Sequence, residues 1–290
     1  FFIISTILLC LVPFMGSVRN GAKRWIIIGP ISVQPSEIMK LALVMLLALY
    51  ISSNRDRMHT FRYGIMIPYV MIGGVMLITV IERHISATLI LFLIGTIVIF
   101  IGGAPTKILG GFAAVGATIM GGVVLFSSYA KERVEFWLHP EEDPSDSGYQ
   151  LLQSLYAIGS GGLLGVGLGN SRQKYLYLPE SQNDFIFAII CEEFGLVGAV
   201  SVICLFIALV WRGVIIAMRA PDTYSSLLVF GIVSKVALQC IMNIAVVTGT
   251  MPVTGVSLPF FSYGGSSLIM LMLEMGMVLS ISRYSYQEKK

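Results

Sequence analysis

The chain of 290 residues is 56% hydrophobic and only 12% charged, whereas a soluble domain carries roughly 25% charged residues. Its mean hydropathy of +0.85 indicates that the lipid bilayer, rather than water, surrounds most of the folded chain. The formal net charge is +3, and the charges lie between apolar runs rather than in a basic stripe, which excludes a nucleic-acid-binding protein. The four cysteines lie in apolar stretches without metal-ligand spacing, so we expect small buried hydrophobic side chains there.

About eight segments are apolar enough to cross a membrane, which takes about 20 mostly apolar residues. We therefore predict an all-α polytopic membrane protein with about eight transmembrane helices. The segments run approximately over residues 1–15, 37–52, 63–81, 86–102, 108–127, 185–211, 225–249 and 266–281. The chain opens at Phe1 inside the first of them, without an initiator Met or a charged leading segment, and we interpret it as N-terminally truncated.

The charged connections bear on the orientation in the membrane. An even number of spans puts both ends on one side, and the basic connection with Arg55, Arg57 and Arg62 predicts that this side is the cytoplasm. The predicted external loops nevertheless carry about as many cations as the internal ones. For the long external loop at 128–183, either translocation regardless of charge or a bound external anion explains this. For Arg19, Lys23 and Arg24, on a short loop, we favour a bound anion.

The second half of the long loop has its own pattern. Residues 148–169 combine apolar side chains with repeated glycines, which predicts a short interfacial or re-entrant helix. The glycine run at 159–169 matches neither a P-loop nor a dinucleotide-binding fingerprint, and no strand precedes it. Close helix packing or a flexible loop is the simpler interpretation.

The end of the same loop carries a dense set of polar residues. Ser171-Arg-Gln-Lys174 supplies two cations and Leu178-Pro-Glu180 an acid, and Asp184 stands where the next apolar segment begins. An acid at a helix N-terminus has an ordinary explanation, because the helix dipole stabilises it. The alternative is a general base at the membrane surface, where partial desolvation would raise its pKa. From the residues alone, both interpretations stay open.

Ionisable residues inside predicted spans form a second class of candidates, because a charge in lipid is costly and usually functional. They are Glu192, Glu193, Lys235 and Glu274, with Glu37 and Lys40 nearer an external end. Glu192 lies about 12 Å along its helix from Asp184, at 1.5 Å per residue, and we place Lys235 at a similar depth, so that the two could pair. We favour a buried structural ion pair over a catalytic role. Glu37 and Lys40 share a helical face and could also pair.

A last stretch, residues 251–267, is dense in proline, glycine and hydroxyl side chains between two apolar segments. Irregular backbone at membrane depth is tolerated only where protein or water satisfies its polar groups. We therefore predict that this stretch lines a cavity.

Taken together, these segments resemble the family of FtsW, RodA and SpoVE (the SEDS family) over the whole chain. The motifs that carry the resemblance are, in chain order, Gly21-Ala-Lys-Arg-Trp25, Gln34-Pro-Ser-Glu-Ile-Met-Lys40, Ser171-Arg-Gln-Lys174, Leu178-Pro-Glu180, Asp184-Phe-Ile-Phe187, Glu192-Glu-Phe-Gly195 and the stretch from Pro252 to Ser267. Each motif is modest alone, and the ordered set is highly specific. The family has about ten spans, so the resemblance implies one transmembrane domain over 1–290 that lacks its first two helices. The Ser-Arg-Gln-Lys run is closer to the FtsW/SpoVE branch.

The resemblance implies a peptidoglycan glycosyltransferase that polymerises lipid II at the outer face of the bacterial cytoplasmic membrane, for cell division, shape or sporulation. Asp184 matches the family's essential external aspartate, the general base that deprotonates the acceptor hydroxyl. A lipid II flippase and a non-catalytic scaffold are the alternatives, and a scaffold would tolerate Asp184→Asn. No organic cofactor is implied. The expected partner is a class B penicillin-binding protein, a transpeptidase.

The implied chemistry also assigns a task to the cations, because a departing pyrophosphate accumulates negative charge. A divalent cation, Mg²⁺ or Mn²⁺, is a further candidate for that task. The candidate substrate-binding residues are Lys23, Arg24, Glu37, Lys40, Arg172, Lys174 and Glu180. Two departures from the family pattern stand out: His84 occupies a position where many relatives carry Asp, and Lys235 is unexpected in its helix.

Overall fold

The computed structural model describes residues 1–19, 22–29, 31–82, 84–126, 128–142, 147–175 and 177–287. Most of them are helical. The helices are α1 Phe2–Met15, α2 Pro35–Ser53, α3 Ile67–Ile81, α4 Ile85–Ile101, α5 Thr106–Phe126, α6 Ser128–Leu138, α7 Ser147–Gly161, α8 Ile186–Met218, α9 Thr223–Val247 and α10 Gly265–Gln287. A π-helical turn, Arg62–Met66, leads into α3, and short 3₁₀ turns stand at Arg55–Arg57 and Pro140–Glu142. Each of the apolar segments predicted from the sequence coincides with a helix.

Within the described residues, five helices are long and apolar enough to cross a membrane. They are Pro35–Ser53, Arg62–Ile81, Ile186–Met218, Thr223–Val247 and Gly265–Tyr284. Shorter apolar helices stand at Phe2–Met15, Ile85–Ile101 and Thr106–Ile119. The predicted all-α polytopic membrane fold is confirmed, whereas the number of spans and the external loop stay predictions.

Local sequence explains where two of the long helices begin. Pro35 occupies the first turn of α2, where its missing N–H costs nothing and its fixed φ favours the helix. Glu37 follows in the same turn, where the positive end of the helix dipole favours an acid. Ahead of α9, the Asp222 carboxylate accepts hydrogen bonds from the Ser225 backbone N–H at 2.7 Å and the Ser225 hydroxyl at 2.8 Å. This is an N-cap that satisfies one otherwise unpaired amide.

A small antiparallel sheet precedes α2, and the sequence analysis did not predict it. Its strands are β1 Ser17–Arg19, β2 Ala22–Ile28 and β3 Ile31–Val33, in the order β1-β2-β3. Two of the strands have only three residues, too few to show an alternating apolar pattern. The sheet matters for the candidate residues because β2 carries Lys23 and Arg24.

The chain divides into two compact units. Unit 1 comprises Phe1–Met120, Val210–Val236 and Gly265–Lys290, and unit 2 comprises Gly121–Leu209 and Ala237–Gly264. In unit 1, the core includes Leu43, Leu47 and Ile72, all fully buried. In unit 2, the core includes Phe185 and Ala188 at the start of α8. The prediction of one transmembrane domain without its first two helices stays a prediction.

Candidate active site

The predicted site residues fall into two groups of four. Lys23 and Arg24 on β2 and Glu37 and Lys40 on α2 lie in unit 1. The other four, which lie in unit 2, are Arg172, Lys174, Glu180 and Asp184. Each group therefore lies within a single unit.

Asp184 is half-buried and stands two residues before α8 begins. The buried Asn243 side chain of α9 donates its two amide hydrogens to the carbonyl oxygens of Asp184 and Val256, each at 2.7 Å. Beside the carboxylate lies Gly255, with φ of +70°, where an added Cβ would stand 3.4 Å from Asp184 Oδ2. Asn243 thus holds the aspartate's backbone and the 252–256 backbone together, and glycine leaves the space beside the carboxylate open.

The residues just before Asp184 form a series of turns. The Glu180 carbonyl accepts the Asn183 backbone N–H at 2.9 Å, and the Gln182 carbonyl accepts that of Tyr263 at 2.8 Å. Glu180 itself has φ of 54°, a strained conformation for a residue with a side chain. Its carboxylate accepts a short hydrogen bond from the Asn183 side chain. Glu180 therefore shapes the approach to Asp184, and its predicted contact with substrate stays a prediction.

Helices α6 and α7 support the irregular stretch after α9. Arg133 donates to the Val253 carbonyl at 2.5 Å, and Trp137 Nε1 donates to the Gly249 carbonyl at 2.8 Å. Ser154 on α7 donates to the Val247 carbonyl at 2.8 Å. These bonds satisfy backbone oxygens that a spanning helix would pair internally. Arg133 lies in the predicted external loop at 128–183, and the sequence could not show this role because its partner lies 120 residues away along the chain.

The predicted pairing of Glu192 with Lys235 is wrong. The Glu192 carboxylate accepts hydrogen bonds from the Ser171 hydroxyl and from the backbone N–H groups of Arg172 at 3.0 Å and Gln173 at 3.4 Å. Backbone amides that stand unpaired at the start of a turn are as good a partner for a buried carboxylate as an ammonium group. Hydropathy gives the depth of a charge in the membrane, but not the direction in which it points.

Lys235 instead belongs to a buried cluster of four charges in unit 1. Its ammonium lies 2.7 Å from Glu274 Oε1 and 3.6 Å from Glu37 Oε2. Lys40 completes the cluster, 2.5 Å from Glu37 Oε1, so the predicted intrahelical pair of Glu37 and Lys40 is confirmed. Two cations and two carboxylates balance each other, which is what lets four buried charges persist. These ion pairs join α2, α9 and α10.

Three further ionisable residues belong to unit 1. Burial, aided by the cations Arg24 and Lys40, lowers the pKa of His84 to about 3, so its imidazole is neutral at physiological pH. Burial raises the pKa of Glu82 to about 8, although the nearby Arg24 opposes the shift. Lys23, in contrast, is exposed and donates to the Pro13 carbonyl at 3.4 Å. The sequence left the role of His84 open. In the structure its side chain is buried and its imidazole is neutral.

The predicted divalent cation has no preformed protein cage in the part of the chain that the structure describes. No group of three or more His, Cys, Asp or Glu side chains there is arranged to hold a metal ion. Mg²⁺ often takes most of its ligands from water and substrate phosphates, with one or two carboxylates. The metal therefore stays a prediction without assigned ligands, and no step below depends on it.

Comparison with known proteins identifies the family to which this arrangement belongs. Residues 1–287 match the family model of FtsW, RodA and SpoVE, described as cell cycle proteins. The chain belongs to the FtsW/RodA/SpoVE family. The family predicted from the ordered motifs is thereby confirmed.

Individual members of the FtsW/RodA/SpoVE family resemble the chain along most of its length. It is 44% identical to stage V sporulation protein E of Bacillus subtilis over 279 residues, 96% of this chain and 76% of that protein. It is 38% identical to a probable peptidoglycan glycosyltransferase FtsW of Geobacter sulfurreducens over 275 residues, 94% of this chain and 74% of the relative.

Two solved structures have the same fold. One is a chain from work on the coordination of polymerization and crosslinking by a peptidoglycan synthase complex, with a TM-score of 0.81 and 30% identity over 99% of this chain and 80% of that one. The other is the rod-shape-determining protein RodA of Thermus thermophilus, with a TM-score of 0.71 and 28% identity over 98% of this chain and 77% of RodA. A multi-pass membrane protein of this family follows from these matches and from the apolar helices.

Proposed function

We propose that this chain polymerises lipid II into glycan strands at the outer face of the cytoplasmic membrane, with Asp184 as the general base. The broader prediction of a peptidoglycan glycosyltransferase is confirmed by the relatives named for that activity. The substrate, the base and the side of the membrane are our additions to it.

The observation that carries the proposal is the setting of the Asp184 carboxylate. It is half-buried, its backbone is fixed by Asn243, and the residue beside it, Gly255, has no side chain to fill the adjoining space. A general base needs both a fixed position and access to a substrate hydroxyl. The proline- and glycine-rich residues from Pro252 to Gly264 provide irregular backbone ahead of α10, and the Tyr263 N–H bonds to the Gln182 carbonyl, two residues before Asp184.

The reaction requires one proton transfer and one displacement. Asp184 takes the proton of the acceptor's 4-hydroxyl while that oxygen attacks the anomeric carbon of the donor. The bond from the anomeric carbon to the pyrophosphate oxygen breaks, and its electron pair leaves with the pyrophosphate. A single displacement inverts the anomeric configuration, and cations near the departing group stabilise its growing charge.

The test is polymerisation of purified lipid II by the full-length protein, reconstituted in lipid with a class B penicillin-binding protein. We expect Asp184→Asn to lower the rate by about 10² to 10⁴, the usual contribution of a general base. The matched control is Asp56→Asn, which removes the charge of an exposed carboxylate in a 3₁₀ turn. This variant should polymerise lipid II at the wild-type rate. A folded Asp184→Asn protein with the wild-type rate would exclude Asp184 as the base.

The same preparation distinguishes the alternative functions. A wild-type protein that makes no polymer but equilibrates labelled lipid II across the vesicle bilayer would be a flippase. A wild-type protein that does neither, while it accelerates crosslinking by its partner, would be a scaffold. A transpeptidase partner is supported by the structural relative, which comes from a complex that coordinates polymerization and crosslinking.

A further inference from the structure

Helix α8 is interrupted at Gly195, whose φ of 64° and ψ of −159° are not helical. In a continuous helix, the Leu196 and Val197 N–H groups would bond to the carbonyls of Glu192 and Glu193. Here the loop after α7 provides substitutes for all four groups. The bonds are Val166 N–H to Glu192 O at 3.0 Å, Gly167 N–H to Glu193 O at 3.1 Å, Leu196 N–H to Gly162 O at 2.9 Å and Val197 N–H to Leu163 O at 3.2 Å.

Glycines make this backbone pairing sterically possible. A Cβ at Gly161 would stand 2.0 Å from the Cys191 carbonyl oxygen, and one at Gly165 would stand 2.1 Å from that of Glu193. Both distances are far below van der Waals contact, so a side chain at either position would separate the loop from the helix. The glycine-rich run therefore packs closely against α8, which is one of the two interpretations that the sequence left open.

Two buried acids stand immediately before the interruption. Glu192 accepts three hydrogen bonds from the turn at 171–173, and Glu193 Oε1 accepts the Ser171 backbone N–H at 3.3 Å and the Lys174 ammonium at 2.8 Å. The exposed fractions of Glu192 and Glu193 are 2% and 8%. We call this arrangement the carboxylate clamp: Glu192 and Glu193 together with the turn from Ser171 to Lys174.

Within the clamp, the two cations have different environments. The Lys174 ammonium bonds both Glu193 and the Gly169 carbonyl, the latter at 2.6 Å, and the Glu193 hydrogen bond raises the pKa of Lys174. Lys174 is thus held as a counter-charge. The Arg172 side chain is exposed, and no described residue holds its guanidinium in a hydrogen bond or ion pair. Its backbone, in contrast, is fixed by Glu192.

The clamp also links Arg172 to the proposed base. The Gln173 carbonyl accepts the Leu178 N–H at 3.0 Å, and Leu178 is buried. From there the turns at Glu180 lead to Asp184 at the start of α8. Both ends of the 171–185 segment are therefore attached to the same short piece of helix, Ile186 to Phe194, ahead of the interruption. Bonds at both ends hold the turns at 171–175 and 177–185 at low entropic cost.

From this geometry we propose that Glu192 and Glu193 are positioning residues, and that the turn they hold presents Arg172, rather than Lys174, to the anionic diphosphate of the glycosyl donor. The inference rests on the proposed glycosyltransferase function and assigns the donor's charged group to one side chain of this chain. A guanidinium matches phosphate oxygens in a bidentate manner. Lys174, which the sequence analysis placed among the substrate-binding residues, then has the task of neutralising Glu193.

The experiment is a double-mutant cycle on the kinetics of lipid II polymerisation by the full-length protein with its penicillin-binding partner. We expect Arg172→Ala to raise KM by about tenfold or more, the usual cost of losing a charged hydrogen bond. Glu192→Gln, which keeps the size of the side chain, should raise KM in the same way. In the double variant the rise should equal that of Arg172→Ala alone, because Glu192 acts through Arg172. Glu132→Gln on α6, an exposed acid, is the matched control and should leave KM unchanged.

Two further variants guard against simple unfolding. Ser171→Ala removes one bond to Glu192 without touching either acid and should give a smaller rise in KM, and Glu192→Asp should restore part of the wild-type value because it retains the charge. Size-exclusion profiles and melting temperatures establish that each variant is folded.

The outcomes separate the two proposals. If the KM effects of Glu192→Gln and Arg172→Ala multiply, or if Arg172→Ala has the wild-type KM, the positioning role is wrong while the glycosyltransferase stands. If Lys174→Met raises KM on top of Arg172→Ala, Lys174 itself binds the donor and the inference is overturned. If the wild-type protein forms no polymer, the proposed function fails and the inference falls with it.

Discussion

Individual buried charges show how far residue identity and spacing can be interpreted without coordinates. Glu37 and Lys40 are three residues apart on one helix, so helical geometry alone predicts their ion pair. Lys235 and Glu274 are 39 residues apart, and only the packing of α9 beside α10 brings them together. Likewise, Glu192 was recognisable as a costly charge, but its partners Ser171 and Arg172 lie 21 and 20 residues away along the chain. The sequence therefore identifies the residues that need partners more reliably than the partners themselves.

Glu82 makes the stability of the protein depend on pH, because burial raises its pKa from 4.5 to about 8. The folded state then keeps a proton that the unfolded chain loses, so stability falls as pH rises from about 4.5 to 8. His84, whose pKa is about 3 in the fold against an ordinary value of 6.5, still gains a proton on unfolding near pH 6.5, but it does so equally in the wild type and in Glu82→Gln. Between pH 6.5 and 8 we therefore expect the melting temperature of the wild type to fall relative to that of Glu82→Gln.

Thermal unfolding in detergent at pH 6.5, 7.2 and 8 checks this prediction. Glu141→Gln, an exposed acid in a 3₁₀ turn, should keep the wild-type slope. Equal slopes for wild type and Glu82→Gln would show that the buried carboxyl group is already ionised in the folded protein.

At the scale of whole elements, the sequence predicted the apolar helices well and the irregular connections poorly. Hydropathy is a local property, so the apolar runs that became α2, α8 and α9 could be recognised from composition. Two of the three strands between α1 and α2 have only three residues, too few to show a periodic pattern. The interruption of α8 has a local sign, Gly195, yet a single glycine in an apolar helix is common in membrane proteins. The role of Gly195 becomes apparent only from the loop after α7, which forms backbone hydrogen bonds with α8 at the interruption.

The pairing of that loop with α8 predicts a large effect of a small side chain. Gly161→Ala would force a methyl group against the Cys191 carbonyl oxygen, at 2.0 Å before relaxation, and overpacking of this kind costs about 1–3 kcal/mol or more. Gly159→Ala, two residues earlier in α7, has no atom within 4 Å of the new Cβ. There the substitution should raise the free energy of unfolding by about 0.5–1 kcal/mol, because alanine is the better helix former.

Melting temperatures of the two variants in the same detergent check the prediction. We expect Gly161→Ala to melt well below the wild type and Gly159→Ala at or above it. A Gly161→Ala protein as stable as Gly159→Ala would mean that the loop and α8 are not in backbone contact.

For the molecule as a whole, the orientation in the membrane is the prediction on which the proposed function most depends. The basic connection with Arg57 should face the cytoplasm, and α6 and the carboxylate clamp should face outside. The energetic reason is that cations on short connections are held on the cytoplasmic side, whereas long loops cross regardless of charge. Within the described residues, five helices are long and apolar enough to cross the membrane, and the strand that grows outside is available to Asp184 only in this orientation.

Cysteine labelling of whole cells tests the orientation directly. With Cys10, Cys191, Cys204 and Cys240 replaced by serine or alanine, Glu135→Cys on α6 should react with a membrane-impermeant maleimide in intact cells. Arg57→Cys should react only after the membrane is permeabilised. Both positions are exposed in the structure, so a difference in labelling reports the side of the membrane rather than burial. The reverse pattern would put Asp184 on the cytoplasmic side, where it could not act on a strand growing outside, and polymerisation at the outer face would have to be abandoned.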